Sequence, residues 1–149
     1  MDRGLDKAIF MDRHGTINVE KHYLHRIGDF EFLPGAVEGM RILQDKGYKL
    51  IMITNQSGIG RGYYSEKEFE ILNNWMVKEL ERCGVIMDGV YYCPHHPDAK
   101  IEKYRMVCNC RKPALGLYEK AIKEHEINVD YSWAIGDKIR DCGICEQTG

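Results

Sequence analysis

The chain has 149 residues, 44% of them hydrophobic and 30% charged, and a net charge of -2 from 21 basic and 23 acidic residues. That length and balance suit one globular domain with a real core; they exclude a disordered chain, a general nucleic-acid footprint and a charged membrane-surface binder. No apolar stretch approaches spanning length, and Met1-Asp2-Arg3-Gly4-Leu5-Asp6 lacks the apolar core of a signal peptide, so a cytoplasmic location without membrane or nucleic-acid partners is the expectation.

The apolar run at 8–11 is too short for a helix and reads as a buried strand that delivers Asp12 at its carboxyl end. Residues 17–32 are polar and aromatic without a period, and read as a loop or small flap. Its His22, Tyr23, His25 and Phe30 either touch a substrate or pack the loop onto the domain. Pro34-Gly35 opens a helix with the stripe Val37, Met40 and Leu43, ending near Gly47. A second buried strand at 48–53 ends in the polar burst Thr54-Asn55-Gln56-Ser57-Gly58. Ser65-Glu66-Lys67-Glu68 fits a capping box, and Phe69, Leu72, Met76 and Leu80 carry its helix to about Cys83. A third strand at 86–92, interrupted by Asp88-Gly89, exits into Cys93-Pro94-His95-His96-Pro97. After a charged loop come Cys108-Asn109-Cys110-Arg111-Lys112-Pro113, with Pro113 suited to the first turn of a helix reaching about His125. A fourth strand at 131–135 ends in Gly136-Asp137-Lys138-Ile139-Arg140-Asp141.

This alternation predicts an α/β fold with a doubly wound, Rossmann-like parallel sheet covered on both faces, in a single domain over residues 1–149. The chain stops soon after the fourth strand, where a further helix and strand would be expected. Either the domain is short or it is truncated, with its fourth strand at an exposed edge.

A parallel sheet gathers its strand carboxyl ends on one edge, and ligands bind there. Asp12 and Asp137 supply hard oxygen ligands for Mg²⁺. Thr54 and Lys112 can hold phosphoryl oxygens, and Arg111 can clamp an anion with two donors. A carboxylate can attack phosphorus to give an acyl phosphate that water later cleaves. Cys93, His95, Cys108 and Cys110 form two close pairs bracketing a charged loop, a pattern suited to tetrahedral, structural Zn²⁺, with His96 as the rival ligand. Cys142 and Cys145 read as helix packing.

The segments Asp12-Arg13-His14-Gly15-Thr16-Ile17-Asn18, Thr54-Asn55-Gln56-Ser57-Gly58, Arg111-Lys112-Pro113 and Gly136-Asp137-Lys138-Ile139-Arg140-Asp141 together resemble the four ordered motifs of the haloacid dehalogenase superfamily. Within it the chain is similar to the small, cap-less phosphatases of the D-glycero-D-manno-heptose 1,7-bisphosphate phosphatase and histidinol-phosphatase group, whose zinc loop the four Cys and His ligands match. The resemblance implies Asp12 as nucleophile and Mg²⁺ ligand, Asp137 as second side-chain ligand, the His14 backbone carbonyl as a third, and Asp141 orienting the metal's surroundings. It implies that Arg13, Thr54 and Asn55 hold the substrate's phosphoryl group, that Lys112 neutralises it and that Arg111 contacts the distal part of the substrate. The implied partner is a small phosphorylated metabolite, a heptose bisphosphate ahead of histidinol phosphate, bound by a monomer through the flap at 19–32, the zinc loop and Arg111.

One departure stands out. Where this chain has His14, the family carries a second aspartate, the general acid that protonates the leaving oxygen and then the base that activates water. Three readings follow: His14 performs the proton transfer itself, the site is catalytically weakened, or the chain is a phosphate- and metal-binding module.

Overall fold

The computed structural model describes residues 6–19, 21 and 23–136; Asp137, Asp141, Cys142, Cys145 and His22 lie outside the described residues. Four strands, β1 (Ala8–Met11), β2 (Lys49–Asn55), β3 (Gly89–Cys93) and β4 (Trp133–Ile135), form one parallel sheet in the order β3-β2-β1-β4. Among the described residues four α-helices accompany them: α1 (Ala36–Asp45), the single turn α2 (Ser57–Gly60), α3 (Glu66–Arg82) and α4 (Gly116–His125).

The strand period of two sorts the core into two layers. Ile9 and Met11 of β1 and Leu50 and Met52 of β2 point to one face, where they meet Met40 of α1 and Phe69, Met76 and Leu80 of α3. Ala8, Phe10, Ile51 and Ile53 point to the other, against Leu117, Tyr118 and Ala121 of α4. The double winding is therefore a direct result of central strands that are apolar on both faces. Helix α3 begins where the capping box places it: Ser65 Oγ accepts the Glu68 N–H at 3.0 Å, and the Glu68 carboxylate accepts the Ser65 N–H at 3.1 Å.

Several boundaries move for local reasons. Strand β3 starts at Gly89, because the Asp88 N–H is donated to the Leu50 carbonyl while the Asp88 carboxylate accepts the Leu50 N–H at 2.9 Å. Helix α4 starts at Gly116 rather than at Pro113. The Ala114 N–H is donated to the Arg111 carbonyl and the Gly116 N–H to the Asn109 carbonyl, so residues 111–115 are spent on a turn that ties the helix to the cysteine loop. Strand β4 is shortened to Trp133–Ile135 by a 3₁₀ turn at Val129–Tyr131, capped by the Asn128 side chain on the Asp130 N–H. Among the described strands β4 stands at the edge, with Trp133 and Ile135 exposed.

Two insertions rise over the carboxyl edge. In the flap at 19–32, Asn18 pairs antiparallel with Phe32 and the Val19 N–H reaches the Glu31 carbonyl at 2.8 Å, closing its base. Tyr23 packs on Tyr63 with ring centroids 4.4 Å apart, and His25 stacks on Tyr64 at 5.3 Å, so these two aromatics fasten the flap to the domain. The second insertion, 94–115, carries the cysteine cluster. Replacing Ser65 by Ala removes one half of the capping box and should cost about 1 kcal/mol, read as a lower urea midpoint at unchanged m-value.

Candidate active site

Asp12 follows β1 directly and is buried at 5% exposure. Its N–H is donated to the carbonyl of Ile135, the last residue of β4, and its Oδ1 accepts the Arg13 N–H at 2.7 Å. Lys112 Nζ stands 3.6 Å from the same Oδ1 and donates to the Ile53 carbonyl at 2.8 Å. Both members of this pair are nearly sealed from water. A buried carboxylate or ammonium without a partner would be costly, so the two groups are placed together.

Lys112 is held by its main chain as well as its tip. Asn55, the last residue of β2, accepts the Lys112 N–H through Oδ1 at 2.8 Å and donates through Nδ2 to the Lys112 carbonyl at 3.2 Å. An amide side chain spanning both polar groups of one residue fixes the orientation of its backbone. Asn55 was expected at the phosphoryl group, and here its amide is engaged with Lys112; sequence reasoning missed this, because no spacing rule links positions in different motifs.

Thr54 is fully buried and belongs to a second network. The Tyr64 hydroxyl donates to Gln56 Oε1, which turns the Gln56 amide nitrogen toward Thr54 Oγ1 at 3.1 Å and His14 Nε2 at 3.4 Å. Burial pushes the Tyr64 phenol up to about 12 against the opposing pull of Arg13, so it remains a donor. Arg13 also donates to His14 Nε2, at 2.9 Å. A guanidinium has no acceptor, so Nε2 is the lone-pair nitrogen of a neutral ring. The Arg13 side chain is fully enclosed under the flap, facing the Leu24 carbonyl and the Phe69 ring. Burial draws its pKa down to about 10, outweighing the help of Tyr64 and Asp12, which leaves the group charged at neutral pH.

Helix α2 lets these residues crowd together. A side chain at Gly58 would place its Cβ 2.3 Å from the Tyr64 ring, so only glycine admits the close approach that brings Tyr64 onto Gln56.

The ligand atoms of Cys93, His95, Cys108 and Cys110 all lie within 4.8 Å of one another. Cys93 Sγ is 2.7 Å from Cys110 Sγ and 3.4 Å from Cys108 Sγ, and His95 Nδ1 is 3.3 Å from Cys110 Sγ. Three sulfurs and an imidazole nitrogen converging this way are the donor set of a tetrahedral site, whose S···S edge is about 3.8 Å for zinc. Burial and the Cys110 sulfur push the Cys93 thiol up. For Cys108, burial is outweighed by hydrogen bonds from Cys110, Cys93 and two backbone N–H groups, which bring it down to about 6. The rival, His96, points elsewhere, to Arg61 and to the Asp98 N–H. Burial and the charges of Arg111 and Arg61 push the His96 imidazole down.

The chain is similar over most of its length to several known proteins. The model of a family described as polynucleotide kinase 3 phosphatase matches residues 5–140. A D-glycero-beta-D-manno-heptose-1,7-bisphosphate 7-phosphatase from Haemophilus ducreyi is 47% identical over 144 residues, covering 96% of this chain and 79% of that protein. One of the same description from Photorhabdus laumondii is 48% identical over 134 residues, covering 90% and 71%. Among solved structures, a D,D-heptose 1,7-bisphosphate phosphatase from B. bronchiseptica complexed with magnesium and phosphate superposes with a TM-score of 0.82 at 28% identity, over 96% of this chain and 76% of that one. A HAD-like protein from Mesorhizobium loti gives 0.88 at 29%, over 93% and 66%.

Substituting Asn55 by Ala leaves the Lys112 N–H without its acceptor. The expected loss is about 1–3 kcal/mol of unfolding free energy, measured by chemical denaturation.

Proposed function

The chain belongs to the polynucleotide kinase 3 phosphatase family of haloacid dehalogenase-like phosphatases, and from that premise we propose that it hydrolyses the 7-phosphate of D-glycero-D-manno-heptose 1,7-bisphosphate through an aspartyl phosphate on Asp12. The observation that carries this reading is the buried pair of Asp12 and Lys112 beside Thr54 at the carboxyl edge of a parallel sheet. We read the chain as part or all of one cap-less phosphatase domain acting in the cytoplasm. Among the described residues no helix is long and apolar enough to cross a membrane.

In this reading Asp12 attacks phosphorus, the bond from phosphorus to the sugar oxygen breaks, and the leaving oxygen takes a proton. Water then attacks the phosphorus, the bond to the Asp12 carboxylate breaks, and inorganic phosphate leaves. Lys112 and the Thr54 hydroxyl hold the phosphoryl oxygens while charge develops on them. Arg13, enclosed behind His14, adds positive charge to the site, and Asn55 acts on the phosphoryl group through Lys112. The hard oxygens of Asp12, the His14 carbonyl and Asp137 suit Mg²⁺, which would offset repulsion between carboxylate and phosphate; Asp141 would orient that site. Cys93, His95, Cys108 and Cys110 suit Zn²⁺, and four protein ligands leave no position for a reacting water. Its role is to fix the loop that leads directly into Arg111 and Lys112.

His14 takes the proton-transfer role. Its Nε2 lone pair already accepts from Arg13 and Gln56, so this nitrogen has no proton to give the leaving oxygen, and the guanidinium beside it opposes its gaining one from water until those contacts part. That observation favours a second reading alongside the first, a site that binds phosphate well and turns over slowly. Positioned acid–base catalysis is worth roughly 10²–10⁴-fold, so His14→Asp should raise kcat by a factor within about that range. The check is Mg²⁺-dependent phosphate release from heptose 1,7-bisphosphate and from histidinol phosphate, with Asp12→Asn as the inactive control. A turnover unchanged or lowered by His14→Asp would rule out the weakened site.

Protein purified without chelators should carry one zinc per chain by elemental analysis. Stripping it should lower the melting temperature and raise KM before the sheet unfolds.

A further inference from the structure

The Gln56 side chain is sealed from water, and both ends of its amide are committed. Oε1 accepts the Tyr64 hydroxyl proton, and the two hydrogens of Nε2 face Thr54 Oγ1 at 3.1 Å and His14 Nε2 at 3.4 Å. A carboxamide has an acceptor at one corner and two donors at the other, so the way it is turned decides what its neighbours can do.

Two neighbours fix that direction independently. Burial keeps the Tyr64 phenol protonated, so it presents a donor that pairs with Oε1. Arg13 donates to His14 Nε2, which leaves on that nitrogen a lone pair that an amide oxygen would repel and an N–H satisfies. Both constraints turn the oxygen toward Tyr64 and the nitrogen toward the site.

The consequence falls on Thr54. A hydroxyl has one proton to give, and with Nε2 donating to its oxygen Thr54 cannot give that proton to Gln56. The Asn55 carbonyl stands 3.4 Å from Oγ1, long for an O–H···O bond, whose usual length is about 2.7–2.8 Å. The proton is therefore loosely held and can pass to an oxygen brought up beside Asp12. Turned the other way, the amide would set Oε1 against Thr54 and take the proton itself. The hydroxyl would then offer a phosphoryl oxygen only its lone pairs, which repel it.

The fold keeps this arrangement stiff. The Gln56 N–H is donated to the Cys93 carbonyl at 2.7 Å, which pins the chain where it leaves β2 beside the end of β3. The Tyr64 ring is buried, lies nearly parallel to His25 of the flap at 8°, and sits against Gly58.

We propose that Gln56, set by Tyr64, is a positioning residue that aims the Thr54 hydroxyl proton at the phosphoryl group. The inference rests on the phosphatase reading above and names what gives Thr54 its direction as a donor.

Tyr64→Phe keeps the ring and removes the group that holds Oε1. On the full chain, kcat/KM for heptose 1,7-bisphosphate should fall about 10-fold, and the inhibition constant of inorganic phosphate should rise by about the same factor. A positioning role makes this loss conditional on the Thr54 hydroxyl. In a Thr54→Val background Tyr64→Phe should cost less than about 2-fold, and in Thr54→Ser, which keeps the hydroxyl, about 10-fold again. Equal losses in all three backgrounds, or none in any, would overturn the proposal. If melting curves show that Tyr64→Phe does not fold, Gln56→Leu in the same backgrounds decides the matter by the same two outcomes. Should the wild type release no phosphate from the sugar, the phosphatase reading falls on its own. Phosphorus NMR titration with inorganic phosphate across these variants then decides: weakening that depends on the Thr54 hydroxyl supports the positioning role. Binding unchanged by Tyr64→Phe, or absent in the wild type, rejects it.

Discussion

The contact between Asp12 and Lys112 is the constraint on which the rest of the site depends. A carboxylate and an ammonium 3.6 Å apart, both nearly sealed from water, can be removed together at modest cost but not one at a time. The chain must therefore bring the end of β1 and the turn before α4 to the same place, and most of the local architecture serves that end. The Lys112 tip is anchored on the Ile53 carbonyl and its peptide on Asn55, so β2 positions both ends of a residue it does not contain.

The cysteine cluster belongs to the same arrangement. Cys110 is two residues before Lys112, and the Gly116 N–H returns to the Asn109 carbonyl, so the loop is fastened on both sides of the lysine. A long, charged insertion with little apolar surface has weak reasons of its own to adopt one shape. Four converging ligand atoms supply what its composition lacks. The flap is tied instead by the pairing of Asn18 with Phe32 and by aromatic stacking, so the two insertions are secured by different chemistry.

Most of the fold was legible because the central strands carry short apolar runs that face both ways and end in an abrupt polar cluster. The capping box at Ser65 and the four metal-ligand positions were legible too, since both depend on short spacings. What spacing does not carry is which distant side chains face each other. Helix α2 escaped notice because Ser57-Gly58-Ile59-Gly60 has poor helix propensity, and its glycines are there for the close approach of Tyr64 and Pro94. The family resemblance implies Asn55 at the phosphoryl group, whereas its engagement with the Lys112 peptide depends on a contact between β2 and a loop far along the chain. His96 drew attention only as a rival zinc ligand, and Tyr64 not at all.

The enclosure of Arg13 separates the site's cations into two populations. Arg13 and Lys112 are 0% and 2% exposed, whereas Arg111 is open to solvent in part. Mobile ions screen charges they can approach, over about 8 Å at physiological ionic strength, and leave sealed ones almost untouched. Added salt would thus weaken the pull of Arg111 on an arriving anion while the inner pair's hold persisted, so that capture and retention respond differently to the same medium.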